Sequence, residues 1–146
     1  MRVTGLGGRA TAALAFAAVV LSAGVVAMSA SAAGTATSGT VVSAALDEWS
    51  LALSRATTRA GKVTFVVRNK GTMVHELVVL RSEAHHHLLK VKGGKAVETG
   101  RLAKIPAIPI GASKRVTLRL SPGKYVLLCN MLGHYQAGQR AALRVR

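Results

Sequence analysis

The segment formed by residues 125–139 contains the most reactive residue types of this chain. It carries the only cysteine, Cys129, followed five residues later by His134 and after five more by Gln139. A thiolate and an imidazole this close in sequence can bind one borderline transition metal, and the amide oxygen of Gln139 can face the same point. Far upstream, His75 lies in another apolar run. Two imidazoles, one thiolate and a weak oxygen donor are the ligand set of a blue-copper electron-transfer centre.

Two segments resemble the secreted cupredoxin-like family, the relatives of plastocyanin and azurin. Residues 66–77 read VVRNKGTMVHEL and residues 123–139 read GKYVLLCNMLGHYQAGQ, and the resemblance covers most of residues 40–146. It implies equatorial copper ligands at His75, Cys129 and His134. The axial ligand, usually Met in this family, falls on Gln139, as in stellacyanin-type members. The resemblance therefore implies an exported protein that carries single electrons on one Cu(I)/Cu(II) ion and is not an enzyme.

Further expectations follow from this ligand set. Because Cys129 must bind as a thiolate, copper binding is expected to release a proton. An amide oxygen is a harder ligand than a thioether, so Gln139 is expected to give a lower reduction potential than Met would. Asn69 and Asn130 are candidates for holding the two ligand loops together, although turn formation explains them equally well. Met131, inside the Cys-to-His loop, is expected near the surface and not as a ligand.

The same residues are compatible with other functions. An envelope protein that stores, senses or delivers copper could use the same four ligands without passing electrons, and a sandwich that had lost its metal would remain as a basic interaction module. A cysteine hydrolase would pair Cys129 with a histidine base, but no helix N-terminus is predicted beside Cys129 to activate it. A closed structural zinc site needs four strong ligands, and only three are visible in the sequence.

The N-terminal part differs in composition from the rest. Arg2 and Arg9 precede the apolar residues 12–28, and an Ala-Ser-Ala motif follows at residues 30–32. A basic start, an apolar centre and an Ala-x-Ala exit are typical of a secretory signal peptide, while the length of the apolar part leaves an uncleaved anchor as the alternative. We predict a signal peptide over residues 1–32, a flexible leader over residues 33–40 and a copper-binding domain over residues 41–146.

The predicted exported part is strongly basic. Without Arg2 and Arg9 it has 18 Lys and Arg against 5 Asp and Glu, a formal charge of +13. Such a charge favours an acidic redox partner or the anionic surface of the cell envelope. No nucleic-acid-binding module is visible, so nucleic acid is not expected as a partner. A single cysteine cannot form an internal disulfide. We predict a monomer, located in the periplasm, the cell envelope or the extracellular space.

Short apolar runs with β-type alternation occupy most of the remaining chain. Turn residues separate them, and almost no amphipathic helix is visible, so we predict an all-β Greek-key β-sandwich of about seven strands. Trp49 is expected to pack in its core. The predicted strands cover residues 40–46, 48–54, 62–68, 73–80, 114–120, 125–129 and 140–146.

The connection over residues 81–113 is unusually long for a small domain. It is expected to contain a short helix or an extra hairpin, or to pack over one end of the fold. Three consecutive histidines, His85, His86 and His87, lie within it. They are a candidate for a second, exposed copper or zinc site. No carboxylate or thiol cluster accompanies them, so the sequence favours a solvated loop whose histidines only titrate.

Overall fold

The structure of this protein, a computed structural model, describes residues 39–146. The predicted signal peptide and nearly all of the predicted leader lie outside the described residues, so the domain boundaries stay predictions. Within the described range, no helix has the length and apolar character needed to cross a membrane.

Eleven strands and one short helix form the regular structure of residues 39–146. In chain order they are β1 (Thr40–Asp47), β2 (Ser50–Leu53), β3 (Thr57–Thr58), β4 (Gly61–Asn69), β5 (His75–Arg81), β6 (Val91–Lys92), β7 (Lys95–Ala96), β8 (Arg101–Ile108), β9 (Ser113–Leu120), β10 (Gly123–Leu128), α1 (His134–Ala137) and β11 (Arg140–Val145). One sheet has the order β2-β1-β4-β9 and the other the order β3-β11-β10-β5-β8, while β6 and β7 form a separate hairpin. The predicted all-β architecture is confirmed.

Each of the seven predicted runs corresponds to a strand, and the structure has four further strands that alternation in the sequence did not mark. β3, β6 and β7 have two residues each, which is too short for alternation to be visible. β8 contains Pro106, which cannot donate to a sheet hydrogen bond. The sheet tolerates this proline because β8 is an edge strand.

The core lies between the two sheets and follows the predicted alternation. In β4, Val63, Phe65 and Val67 are fully buried, and they pack against residues such as Leu127 of β10 and Leu143 of β11. Since β-strand side chains alternate between the two faces, the residues between those of β4 face away from the core. One contiguous apolar cluster therefore joins the sheets into a sandwich.

The long connection covers the outer face of the second sheet. Every residue of β5 from His75 to Leu80 is buried, because a second apolar cluster lies on the side away from the main core. Its members are Val78, Leu80, Ala96, Val126, Leu128 and Tyr135, with Leu89 packed against them. The connection thus contains an extra hairpin and packs on the fold, and strand β5 becomes a rigid support for His75.

The predicted core position of Trp49 is wrong. The side chain is 45% exposed, because β1 ends at Asp47 and β2 begins at Ser50, leaving Trp49 in the turn between them. A turn residue lies outside the alternation that directs strand side chains into the core. Its ring instead approaches the end of the sandwich where the candidate metal ligands lie.

Candidate metal centre

Four elements deliver the predicted ligands to one end of the sandwich. His75 is the first residue of β5, and Cys129 follows directly on β10, the antiparallel neighbour of β5. His134 begins α1, and Gln139 lies between α1 and β11. The backbone N–H of Cys129 donates to the carbonyl of Gln139 over 3.0 Å. This hydrogen bond closes the loop that carries three of the four residues.

The donor atoms of His75, Cys129 and His134 converge on one point. Cys129 Sγ lies 3.8 Å from His75 Nδ1 and 3.4 Å from His134 Nδ1. Sulfur and nitrogen ligands bound to one metal with zinc-like bond lengths are about 3.5–3.8 Å apart. The three side chains are also buried. They therefore fit a single ion held by one thiolate and two imidazoles.

Gln139 is fully buried and borders the same point. Its Nε2 donates to the backbone carbonyl of Asp47 over 2.7 Å. This hydrogen bond determines which end of the amide faces inward. Accordingly, Oε1 points to the centre and lies 3.0 Å from His134 Nδ1. The amide oxygen is therefore available as a weak oxygen donor beside the other three donor atoms.

Glu48, which was not among the predicted site residues, contacts the ring nitrogen of His75 that does not face Cys129. Glu48 Oε1 lies 2.9 Å from His75 Nε2. The carboxylate also accepts hydrogen bonds from the backbone N–H groups of Thr72 and Met73. A carboxylate at Nε2 favours the tautomer with the proton on Nε2, so the lone pair of Nδ1 faces Cys129. Metal-binding histidines commonly have such a partner.

The carboxylate of Glu48 is held in its ionised form. Desolvation works against the charge, but the hydrogen bonds from Thr72, Met73, its own backbone N–H and His75 outweigh it and lower the pKa of Glu48. Gly71 provides the space, since a Cβ at that position would overlap with Glu48 Oε1. The one signal in the sequence was a carboxylate in a turn of a chain with only five acidic residues.

Cys129 is a neutral thiol as long as no metal binds it. Burial raises the pKa of Cys129, while the backbone N–H of Glu76, 3.4 Å from Sγ, acts in the opposite direction. Because a metal binds the thiolate, binding displaces the thiol proton. The N–H of Glu76 would stay in place as a hydrogen-bond donor to the sulfur of a metal ligand.

Asn69 and Asn130 each hold one ligand loop, but they do not join the two loops to each other. Asn69 Nδ2 donates to the carbonyls of Met73 and Ile108, and its Oδ1 accepts from the N–H of Gly71. Asn130 exchanges two hydrogen bonds with the backbone of Ala96 in β7. Each asparagine therefore connects its ligand loop to a strand of the second sheet or its covering hairpin.

Two glycines shape the loop around His134, and a tryptophan packs against the His134 ring. Gly133 and Gly138 flank α1 with φ angles of 81° and 124°, which residues other than glycine rarely adopt. A Cβ at Gly138 would also lie 2.9 Å from the carbonyl oxygen of Trp49. The Trp49 ring meets the His134 ring edge-on, with centroids 4.9 Å apart. Met131 is partly buried against the core cluster.

The histidine triplet forms a cluster of its own. Each of the three imidazoles offers a nitrogen, and these nitrogens all lie within 4.8 Å of one another. Burial, followed by the charges of His85, His87 and Arg140, lowers the pKa of His86. The imidazole of His86 is therefore neutral at physiological pH. Neutral imidazole is the form that binds metals.

The fold is that of known cupredoxins. No protein-family model matches the chain, and no curated protein sequence does. Sodium-dithionite-reduced auracyanin from the photosynthetic bacterium Roseiflexus castenholzii is 23% identical, with 74% of this chain and 98% of that chain covered and a TM-score of 0.59. Auracyanin B is 22% identical, with 73% of this chain and 88% of that chain covered and a TM-score of 0.54. Rusticyanin from Thiobacillus ferrooxidans is 15% identical, with 73% of this chain and 76% of that chain covered and a TM-score of 0.59.

Proposed function

We propose that the protein is an exported blue-copper electron carrier. His75 Nδ1, Cys129 Sγ and His134 Nδ1 would hold one copper ion, and Gln139 Oε1 would be a weak axial donor. The observation that carries this proposal is the convergence of one buried sulfur and two buried imidazole nitrogens, with sulfur–nitrogen distances of 3.8 and 3.4 Å. This donor set is the one that blue-copper sites use.

Copper, when bound, supplies a one-electron Cu(I)/Cu(II) couple. The contribution of the chain is to hold the ligands in one arrangement for both oxidation states. His75 is held by Glu48 and by the buried strand β5, and the other three ligands lie on a loop closed by the Cys129–Gln139 hydrogen bond. Ligands held by packing and hydrogen bonds move little when the metal charge changes, which favours fast transfer.

The structural neighbours support a redox role by analogy. Rusticyanin is described as a copper protein, and both auracyanin and rusticyanin were obtained in a reduced form. These proteins share the fold of this chain at low sequence identity. The proposal for this chain therefore depends on its own donor atoms, with the neighbours as support.

The surface around the ligands suits a redox partner. Five apolar side chains beside the ligand loops are exposed, namely Trp49, Met73, Val74, Ile110 and Leu132. Trp49 connects the buried His134 ring to solvent, so we assign the electron exit to this edge. The formal charge of +13 on residues 33–146 would attract an acidic redox protein or the anionic cell envelope.

A copper titration tests this function. Cu(II) is added to untagged protein comprising residues 33–146, and the visible absorption and electron paramagnetic resonance (EPR) spectra are recorded. We expect one copper per chain with an intense thiolate-to-Cu(II) absorption that disappears on reduction and returns on reoxidation. Colourless binding of Cu(I) alone would indicate copper storage or delivery. The absence of copper binding would indicate an interaction module, and either result would contradict the proposal.

Replacing Gln139 with methionine is expected to raise the reduction potential. A thioether is softer than an amide oxygen and stabilises Cu(I) relative to Cu(II). A tenfold change in this preference corresponds to about 59 mV for a one-electron couple, and we expect Gln139→Met to exceed this in protein-film voltammetry. Gln136→Met is the matched control, because Gln136 is exposed on α1, three residues before Gln139 in the same loop. Equal potentials in both variants would show that Gln139 is not an axial ligand.

A further inference from the structure

A second cluster of metal-binding groups lies on the segment between β5 and β6, outside the copper centre. The N–H of Leu88 donates to the carbonyl of His85 over 2.8 Å, which closes a tight turn. The turn folds the three histidine rings together, and their centroids are 4.1 to 5.4 Å apart. Residues that are consecutive in an extended chain would direct their side chains apart. The turn therefore produces the cluster.

Tyr135 fixes the main chain within this turn and directly after it. The buried Tyr135 hydroxyl donates to the carbonyl of His86 and accepts from the N–H of Leu89, both over 2.9 Å. Leu89 also packs against the second apolar cluster. The main chain is thus anchored in a segment for which the sequence favoured a solvated loop whose histidines only titrate. A fixed backbone lowers the entropy lost when the three side chains bind one ligand.

One ring nitrogen in the cluster lacks a partner. His86 Nδ1 is buried and has no hydrogen-bond partner among residues 39–146. His85 and His87 are exposed, so their rings can rotate without disturbing the fold. Imidazole nitrogens around a tetrahedral ion with bonds of about 2.0–2.1 Å are about 3.3 Å apart. Rotation of the two exposed rings from separations within 4.8 Å can meet this distance.

We propose that His85, His86 and His87 form a second metal site, which takes a borderline divalent cation and binds Cu(II) more tightly than Zn(II). Imidazole ligands suit both ions, and Cu(II) leads in the general order of affinity for nitrogen sites. With no thiolate present, the site should hold Cu(II) without the intense colour of the buried centre. Three protein ligands leave a position open for water or for a side chain of a partner protein.

A titration that continues beyond the first equivalent tests this site. Cu(II) is added in two equivalents to untagged wild-type protein and to the double variant His85→Asn/His87→Asn. In the wild type we expect a second equivalent with a nitrogen-coordinated EPR signal and no added thiolate absorption. In the double variant the second equivalent should bind at least about 100-fold more weakly, since removal of even a hydrogen-bond partner of a metal ligand lowers metal affinity about 10–100-fold. The thiolate absorption should stay unchanged.

Two comparisons make the outcome specific. Lys90→Asn changes an exposed residue of the same segment and should keep both equivalents. If the buried centre takes no copper, the nitrogen-coordinated signal should appear with the first equivalent and still be lost in the double variant, so failure of the two sites is distinguishable. Equal stoichiometry and identical EPR spectra in the wild type and the double variant would overturn the second site.

Discussion

Cys129→Ser is expected to abolish the blue colour and to weaken Cu(II) binding at least about 100-fold. The absorption requires a thiolate bound to Cu(II), and a serine hydroxyl does not bind copper as an anion at neutral pH. The loss of Cu(II) affinity should exceed the 10–100-fold loss that follows when a hydrogen-bond partner of a metal ligand is removed. Cys129 is the only thiol of the chain, so no other thiol can replace it. Absorption spectroscopy and a competition titration with a copper chelator measure both changes.

A second sulfur in the same loop provides the control for this prediction. Met131 lies two residues after Cys129 and is partly buried against the core, so Met131→Leu keeps a similar volume while removing its sulfur. The spectrum and affinity of this variant should match the wild type. Should Cys129→Ser keep the intense absorption, or should Met131→Leu lose it, the assigned sulfur ligand would be wrong.

Glu48→Gln is expected to raise the reduction potential and to weaken Cu(II) binding about 10–100-fold. The ionised carboxylate 2.9 Å from His75 Nε2 stabilises the additional positive charge of Cu(II) through the ring. A neutral amide removes this charge while keeping the size of the side chain. Voltammetry and chelator competition measure the two effects.

Gly71→Ala tests the same contact without changing the charge. The added Cβ would occupy the position of the Glu48 carboxylate, and this flexible side chain would turn away from His75. The potential should rise as in Glu48→Gln. Glu83→Gln is the charge control, because the Glu83 side chain is 75% exposed and pairs with Lys124 on the surface. A shift in Glu83→Gln as large as in Glu48→Gln would mean that net charge alone sets the potential.

The strands and the ligand loop could be predicted because their signals are local. Alternation identified the core residues of β4 and β11, and the fixed spacing of Cys129, His134 and Gln139 placed three candidate ligands on one loop. His75 became a candidate only in combination with this loop, since nothing within its own segment distinguishes a ligand from a buried hydrogen-bonded histidine.

The partners of His75 and His134 could not be predicted because they depend on strand pairing far apart in sequence. Parallel pairing of β1 with β4 aligns Leu46 with Asn69, which brings the turn after β1 next to the loop before β5. Glu48 and Trp49 thereby lie next to the candidate ligands, although Glu48 precedes His75 by 27 residues in the sequence. The anchoring of the histidine triplet by Tyr135 is equally long-range.

A crystal structure of the Cu(II)-loaded protein, with anomalous scattering recorded at the copper absorption edge, tests the central claim most directly. The predicted result is one copper peak enclosed by His75 Nδ1, Cys129 Sγ and His134 Nδ1, with Gln139 Oε1 facing the ion from the axial side. A map in which this position has no copper peak, or in which the Cys129 sulfur points away from the ion, would contradict the account.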